Sequence, residues 1–390
     1  MTAAPALPRC LWFLVAGTTL TKAGAFVFPY LTIYLSQARG LGLPIVGTVL
    51  AVGGAGLVVG NVTGGWAADR IGRKPTLLAA LVINAVGFLA LSQPDATPAT
   101  YATWLAVGYV GTGMYGPAAA AVVSDETPPA SRSRAYAALY VGGNVGMAVG
   151  PLLGGILAQT AYGWLFIGDA ATTLACAGLI AVGVPWRSPP RDTRRVEGHI
   201  AVWRAYPRVL AFAAASVFLV APLMGLEYAV PLLVARTFAA DLVWVGAIYT
   251  INAVTVLSLG MVVERWLRGR SDAWAMVLAS GLWTAGLLIA AVGRSLPALV
   301  GCTLVWTLGE IIASIVVPSH IAARVPARVK GRMLAIADVA RSAAGMTAPV
   351  VLGVTWARWG VDVALGLLVA LPLIGGSLYL FAARRAKASR

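Results

Sequence analysis

The chain has 390 residues, of which 59% are hydrophobic and only 11% are charged. Soluble domains are nearer half apolar and a quarter charged, so this composition excludes an ordinary soluble globular protein. The net charge of +15 does not indicate a nucleic-acid-binding protein, because the basic residues lie in short clusters between apolar segments.

Twelve apolar segments follow one another along the chain, each long enough to cross about 30 Å of hydrocarbon. We number them spans 1 to 12; they cover roughly residues 9–36, 43–66, 75–93, 99–123, 134–158, 163–185, 207–235, 242–263, 273–293, 296–322, 333–356 and 361–383. Continuous apolar runs of this length predict helices, since the strands of a transmembrane barrel are about ten residues long and alternate strictly. Arg9 and the small residues at 23–25 imitate a secretory signal, but the equally apolar spans that follow favour a retained first helix.

The basic residues predict the orientation of the spans. With the N-terminus in the cytoplasm, 23 of the 29 lysines and arginines fall in cytoplasmic segments, whereas the external segments hold only Arg39, Arg236, Arg294 and Arg358. This distribution follows the positive-inside rule. We therefore expect a multi-pass protein of the cell membrane, the cytoplasmic membrane of a bacterium, with both termini in the cytoplasm.

A polar, arginine-rich stretch divides the chain into two halves. We place a first six-helix bundle at residues 1–186, a cytoplasmic linker at 187–205 and a second six-helix bundle at 206–390. The halves share a motif, because GWAADRIGRK at residues 65–74 aligns with GMVVERWLRGR at residues 260–270 at an offset of 195. Parallel repeats predict an all-α membrane protein whose two bundles are related by a pseudo-twofold axis.

These motifs resemble those of the major facilitator superfamily, and within it the twelve-helix drug:proton antiporters. The loop between spans 2 and 3 is similar to the superfamily signature, with the matching residues Gly65, Asp69, Arg70, Gly72, Arg73 and Lys74. GNVGMAVGPLLGG in span 5 is similar to the antiporter signature, with the matching residues Gly146, Gly150, Pro151, Gly154 and Gly155. Span 4 departs from the family because it lacks the signature arginine, so no proton relay is transferred to it. Span 1 carries Lys22, where related exporters often have an arginine.

The loop between spans 2 and 3 also has a physical interpretation of its own. Its glycines allow a tight turn, and Asp69 can pair with basic residues and with a helix N-terminus. Asp125, at the cytoplasmic end of span 4, is a candidate partner for Arg70 or Arg73. The resemblance implies a charge latch between the halves that breaks during transport. The alternative is a cluster that only anchors helix ends at anionic lipid, for which Asp69 would not be needed.

Glycines recur at every fourth residue on one face of span 5 and of span 2. Small residues at this spacing let helix backbones approach closely in a membrane. Pro151, beside the stripe in span 5, permits a bend. The resemblance to antiporters implies that this surface also seals the transport pathway against leak.

Ionisable residues inside the spans are candidates for the proton or substrate site, because charge is costly in hydrocarbon. They are Lys22, Glu227, Glu310, Asp338 and Arg341. We rank Glu310 first as the proton or cation site, since it lies on a polar stripe with Thr303, Thr307 and Ser314 that we expect to line a wet cavity.

The other ionisable residues keep an alternative interpretation. Glu227 ranks second, with equal weight on a carboxylate that only reaches the external interface. Asp338 and Arg341 can form a structural ion pair on one helix face. Lys22 is either the counter-ion of an acid or a site for an anionic substrate, and Asp169 in span 6 is interpreted as structural.

Several aromatic and amide side chains are further candidates for the cavity, although each alone is more often a packing or interface residue. They are Phe26, Tyr140, Asn144, Tyr249, Asn252 and Trp306. No metal site is expected, because the three cysteines lack metal-ligand spacing, and His199 and His320 have no sequence neighbour that indicates a metal or catalysis.

We expect a secondary transporter, a proton-coupled antiporter that exports a small hydrophobic or cationic organic compound by alternating access from a cavity between the halves. The alternative is a symporter or an exporter of a polar or anionic metabolite such as a sugar or amino acid. The sequence has no nucleophile elbow and no phosphate-binding loop, so we expect neither an enzyme nor direct drive by ATP. The expected partners are the substrate, protons as coupling ion and the lipid bilayer, without a cofactor or nucleic acid, and we expect a monomer.

Overall fold

The computed structural model of the chain describes residues 7–93, 96–128, 131–186 and 205–388, with side chains described except at residues 133, 327–332, 334–340 and 382–388. Every regular element in these ranges is a helix. In chain order the helices are α1 (Arg9–Ala23), α2 (Val27–Ile33), α3 (Leu43–Arg70), α4 (Arg73–Ala90), α5 (Pro98–Glu126), α6 (Arg132–Thr160), α7 (Gly163–Gly183), α8 (Pro207–Ala215), α9 (Val217–Leu232), α10 (Val243–Leu267), α11 (Asp272–Gly293), α12 (Leu296–Arg324) and α13 (Ala327–Ala388).

Local chemistry explains where many of these helices begin. Proline occupies the first turn of α3, α5, α8 and α12, where its missing N–H would have no partner within the helix. The hydroxyls of Thr97, Ser271 and Ser295 each accept a hydrogen bond from a backbone N–H of the following first turn. Helices therefore start within a few residues of the apolar segments that the sequence predicts.

The chain divides into two compact units. The first comprises Met1–Asp192 and Ala240–Val254, and the second comprises Thr193–Ala239 and Thr255–Arg390. Residues 240–254, which the sequence analysis assigned to the second bundle, thus cluster with the first unit, and α10 begins in one unit and ends in the other. The proposed division into bundles at residues 186 and 206 stays a prediction.

Close backbone contacts organise the first unit. Helix α3 packs along α5, α4 packs on α5 and α7, and α1 packs on α6 and α7. The glycine stripe of α3 faces the backbone of α5, and a Cβ built on Gly64 would lie 2.5 Å from the Cα of Met114. Such an approach is open only to glycine, so the stripe sets the distance between these two helices.

In the second unit, α11 packs against α12 and α13, and α9 packs against α13. Trp283 of α11 and Trp306 of α12 stack with ring centroids 4.7 Å apart. The hydroxyl of Tyr379 donates a hydrogen bond to the backbone oxygen of Phe212 over 3.0 Å. Large aromatic rings thus fill the space between these helices.

Ten helical stretches in the described ranges are long and apolar enough to cross a membrane. One of them, Arg341–Phe381, includes Gly360, whose φ of +84° interrupts the helical backbone between predicted spans 11 and 12. Helix α5, which corresponds to predicted span 4, is not among the ten. The count of twelve crossings and the pseudo-twofold relation therefore stay predictions.

Spans 1 and 7 differ from the uninterrupted α-helices that hydropathy suggests. In span 1, α1 ends at Ala23, α2 begins at Val27, and the N–H of Phe26 bonds to the oxygen of Gly24 over 2.7 Å in a tight turn between them. A π-helical turn follows α2 at Tyr34–Ala38, and a second follows α9 at Leu233–Thr237. Both halves therefore carry a π-helical turn at a similar place in their first span.

Candidate functional site

The loop between α3 and α4 joins several helix ends through Arg73. Gly72 turns the chain with φ of +102°, which favours glycine. The Nη1 of Arg73 then donates to the oxygen of Ala68 over 2.6 Å and lies 3.0 Å from Asp69 Oδ1, while its Nε lies 2.8 Å from Asp125 Oδ2. The Arg73 side chain is only 15% exposed. Asp125 thus contacts Arg73, one of its two expected partners, and the guanidinium links the ends of α3 and α5.

The neighbouring basic residues of this loop make different contacts. The ammonium of Lys74 donates to the backbone oxygen of Ala181, near the end of α7, over 2.6 Å. The guanidinium of Arg70 lies over the ring of Trp66 at 5.4 Å. All these partners belong to the first unit. At Gly65 there is room for a side chain, since the nearest described neighbour of a Cβ built there is Pro117, at 3.9 Å. The gating role of the motif stays a prediction.

The repeated loop in the second unit is built similarly, with other residues. Gly269 has φ of +78°, so this loop also turns at a left-handed glycine. At the start of α11, Asp272 Oδ2 lies 2.7 Å from His320 Nδ1 and 2.9 Å from Arg324 Nη1. The ring of Phe212 stacks on that of His320 at 3.6 Å. No partner of His320 was predicted, although His320 follows Asp125 by the repeat offset of 195 residues, which could have indicated this cluster.

The antiporter-like motif of α6 forms the contact with span 1. A Cβ built on Gly146 would lie 2.5 Å from the oxygen of Thr19, and one on Gly150 would lie 2.7 Å from the oxygens of Lys22 and Ala23. A Cβ built on Gly154 would lie 2.9 Å from the ring of Tyr30. The stripe therefore lets α6 follow both parts of the interrupted span.

The other side of the motif meets residues 240–254 within the first unit. The hydroxyl of Tyr30 donates to the backbone oxygen of Pro151 over 2.6 Å. The hydroxyl of Thr250 donates to the backbone oxygen of Ala148, also over 2.6 Å. A Cβ on Gly155 would lie 2.7 Å from the Cα of Val243. These small residues and hydroxyl bonds explain why the start of α10 clusters with the first unit. A role of the motif in sealing against leak stays a prediction.

Glu310 and Glu227 are partly buried acids of the second unit. Glu310 lies near the middle of α12, and Glu227 lies in α9, four residues before Pro231. The expectation that the polar stripe of α12 lines a wet cavity is wrong for two of its members. Thr303 and Thr307 are fully buried, and their hydroxyls donate to backbone oxygens one turn earlier, so helix packing satisfies them without water.

The remaining charged candidates are placed unequally. The side chain of Arg341 is exposed, whereas that of Asp338 lies outside the described residues, so the pairing expected between them stays a prediction. Lys22 is exposed in the last turn of α1.

The aromatic and amide candidates separate into packed and exposed side chains. Phe26 and Trp306 are 7% and 6% exposed and lie in helix packing of their own units. Tyr140 is 58% exposed, and Asn144 donates to its backbone oxygen. Tyr249 meets the edge of Phe28, and Asn252 is partly buried. The role of each in a cavity stays a prediction.

Multiple apolar spans, acids held within them and charged loops that link helix ends define a multi-pass membrane transporter. The chain belongs to the Major Facilitator Superfamily, whose family model matches residues 11–349. Members of this family are transporters and not enzymes.

Curated relatives of the chain are bacterial transporters. A Na(+), Li(+), K(+)/H(+) antiporter of Planococcus maritimus is 24% identical, with 91% of each chain covered. The multidrug resistance protein MdtH of Klebsiella pneumoniae (strain 342) is 27% identical over 77% of this chain and 75% of MdtH. The uncharacterized MFS-type transporter YttB of Bacillus subtilis is 32% identical, but this match spans only 43% of this chain and 42% of YttB.

A solved structure shows the same fold. The POT family transporter PepTSo aligns with a TM-score of 0.80 at 13% identity, over 99% of this chain and 100% of that one. At this identity the likeness concerns the fold alone.

Proposed function

We propose that this transporter is a proton-coupled antiporter that exports a small hydrophobic or cationic organic compound across the cell membrane, with both termini in the cytoplasm. Its binding site becomes accessible to the two sides in alternation, and the inward proton gradient drives export. Protons are the only coupling agent in this proposal, and the chain acts as a monomer.

The placement of Glu310 carries the proposal. It is the fifteenth residue of the 29-residue α12, about 21 Å along the helix axis from its start. A carboxylate at the depth of the hydrocarbon is costly unless it serves a pathway or is neutralised. A proton or a cationic substrate neutralises it equally well, so the two compete for one group, which is what antiport requires.

The curated relatives support the proposal without deciding it. One is named as a cation/proton antiporter and another as a multidrug resistance protein. Each of these names matches one half of the proposed activity, the exchange against protons and the organic cargo. The glycine stripe of α6, which resembles the antiporter signature, agrees with the exchange against protons.

The test uses the purified full-length chain in proteoliposomes with an acidic interior and the membrane potential clamped to zero. We expect accumulation of the lipophilic cation tetraphenylphosphonium, because protons leaving the vesicle drive the probe in. Glu310→Gln and Glu227→Gln each remove a carboxylate without changing its size, and we expect an at least tenfold loss of accumulation in one or both, equivalent to about 1.4 kcal/mol of coupling.

Asp241→Asn is the matched control, because Asp241 is an exposed acid in the loop before α10. It should accumulate the probe like the wild type. If both glutamine variants keep full accumulation, the proton-site assignment is wrong.

The alternative function is favoured by one observation, the exposed side chain of Lys22, whose positive charge suits an anionic or polar metabolite. In that case an anionic or sugar probe would move with the protons. Uptake would then require an acidic exterior, and tetraphenylphosphonium would not accumulate under the opposite gradient.

A further inference from the structure

The loop between α10 and α11 places one arginine against two tryptophans. Gly269 turns the chain with φ of +78°, and the hydroxyl of Ser271 caps the start of α11. The Cζ of Arg270 lies 4.1 Å from the ring centroid of Trp266, near the end of α10, and 4.9 Å from that of Trp274, in the first turn of α11. We call Trp266, Arg270 and Trp274 the tryptophan–arginine cluster; all three belong to the second unit.

Contacts within the cluster hold the guanidinium in place and leave part of it available. The Nε of Arg270 donates to the backbone oxygen of Trp266 over 2.9 Å, and the two indole rings lie 5.5 Å apart. The faces of the rings attract the cation and fix its position. The other N–H groups of this guanidinium have no acceptor in the described part of the chain, so they form a flat fork that suits a phosphate group.

The charges of the loop favour an anionic ligand. Arg268 pairs with Glu264 over 3.0 Å, and Asp272 pairs with residues of α12. Arg265 and Arg270 are exposed and have no acidic partner among the described side chains. Two cations therefore remain for a ligand of opposite charge at the end of α10.

An exposed apolar face of α10 leads to the cluster. Val262 precedes Trp266 by four residues, about 6 Å along the helix axis, and lies on the same side of the helix. Val262 and Met261 are both more than half exposed. Helix α10 is one of the helices that are long and apolar enough to cross a membrane. Aliphatic side chains, an indole and a guanidinium thus follow one another in the order of the acyl chains, the interface and the phosphate of a phospholipid.

We propose that the tryptophan–arginine cluster binds the phosphate of an anionic phospholipid, whose acyl chains lie along the exposed face of α10. In the orientation proposed above, this lipid belongs to the cytoplasmic leaflet. The inference goes beyond the proposed transport activity and does not depend on the substrate or on the coupling ion.

The surroundings of the cluster distinguish this ligand from two others. A soluble phosphate compound would meet the guanidinium but would leave the apolar side chains of α10 without a partner. A zwitterionic phospholipid carries its own cation, which offsets its phosphate and is repelled by Arg265 and Arg270. An anionic phospholipid satisfies both the charge and the apolar face.

The first experiment counts bound lipids on the purified full-length protein by native mass spectrometry, during titration with phosphatidylglycerol or phosphatidylcholine. We expect phosphatidylglycerol to bind at least about fivefold more tightly. Arg270→Gln should lower its affinity by a similar factor. Arg268→Gln is the matched control, since it removes one exposed cation from the same loop but one that Glu264 already neutralises, and we expect its affinity to stay within about twofold of the wild type.

The second experiment locates the lipid by fluorescence. Phosphatidylglycerol brominated near the start of its acyl chains quenches the indoles that it contacts, and we expect stronger quenching than with brominated phosphatidylcholine. The difference should vanish when Trp266→Leu is combined with Trp274→Leu. It should remain in Trp244→Leu, the control, because Trp244 is as exposed as Trp274 but lies at the opposite end of α10.

Several results would overturn the lipid site. They are equal affinity for the two lipids, equal losses in Arg270→Gln and Arg268→Gln, and a quenching difference that persists without Trp266 and Trp274. Displacement of phosphatidylglycerol by inorganic phosphate or glycerol phosphate would show that the cluster binds a soluble phosphate compound instead. None of these measurements uses proton-driven transport, so the proposed antiport can fail while the lipid site stands, and the reverse.

Discussion

The contact between α1 and α6 allows a quantitative test at Gly150. A Cβ added there would lie 2.7 Å from the backbone oxygens of both Lys22 and Ala23, whereas ordinary contacts begin at 3.4 Å. Neither oxygen belongs to a flexible side chain, so α1 must move away from α6 as a unit. Overpacking of this kind typically costs about 1–3 kcal/mol.

Gly143→Ala provides the matched control in the same helix. No described atom lies within 4 Å of a Cβ built on Gly143. Alanine favours the helix over glycine by about 0.5–1 kcal/mol at either position, so this gain cancels when the two variants are compared. We therefore expect Gly150→Ala to be less stable than Gly143→Ala by about 1–3 kcal/mol.

The assay is thermal unfolding of both purified variants in detergent at one scan rate, since such transitions depend on rate. Gly150→Ala should unfold at a clearly lower temperature than Gly143→Ala, which should equal or exceed the wild type. Equal unfolding temperatures for the two variants would show that the helices relax at no cost, and the reasoning from close backbone approach would be refuted.

Two further predictions concern the loops that link helix ends. Arg73→Lys keeps the charge but loses the guanidinium fork, so it cannot hold all the contacts that include Asp125; we expect about tenfold slower probe transport, and wild-type rates would contradict the linking role. Asp272→Asn should destabilise the protein by about 1–3 kcal/mol in thermal unfolding, because it weakens a partly buried tie to His320. Asp362→Asn is the control for Asp272→Asn, because Asp362 pairs with Arg294 at an exposed position, and we expect it to lower the stability by less than about 1 kcal/mol. Equal losses of stability in the two variants would contradict the argument from burial.

Hydropathy predicts the helices of this chain well, because their ends are local features. Predicted span 10 at residues 296–322 corresponds to α12, which begins after the hydroxyl of Ser295 and ends at Arg324. Span 4 at residues 99–123 corresponds to α5, which Thr97 and Pro98 start in the same way. An apolar run, a capping hydroxyl and a proline are all visible in sequence without knowledge of the neighbours.

The contacts of the candidate site are less predictable, since they depend on how each helix is rotated about its axis. The pairing of Arg73 with Asp125 could be anticipated because both lie at one membrane face. The prediction that the polar stripe of α12 lines a wet cavity is wrong for Thr303 and Thr307, since their hydroxyls bond within their own helix and need no water.

The two repeated loops show that the halves preserve an arrangement and not the residues that make it. In the first unit the helix after the loop begins with the cation Arg73 and meets Asp125, and in the second it begins with the acid Asp272 and meets His320. Asp125 and His320 are equivalent by the repeat offset of 195, whereas Arg73 and Asp272 are 199 residues apart. The two halves therefore repeat the tie between helix ends and not a pair of matched residues.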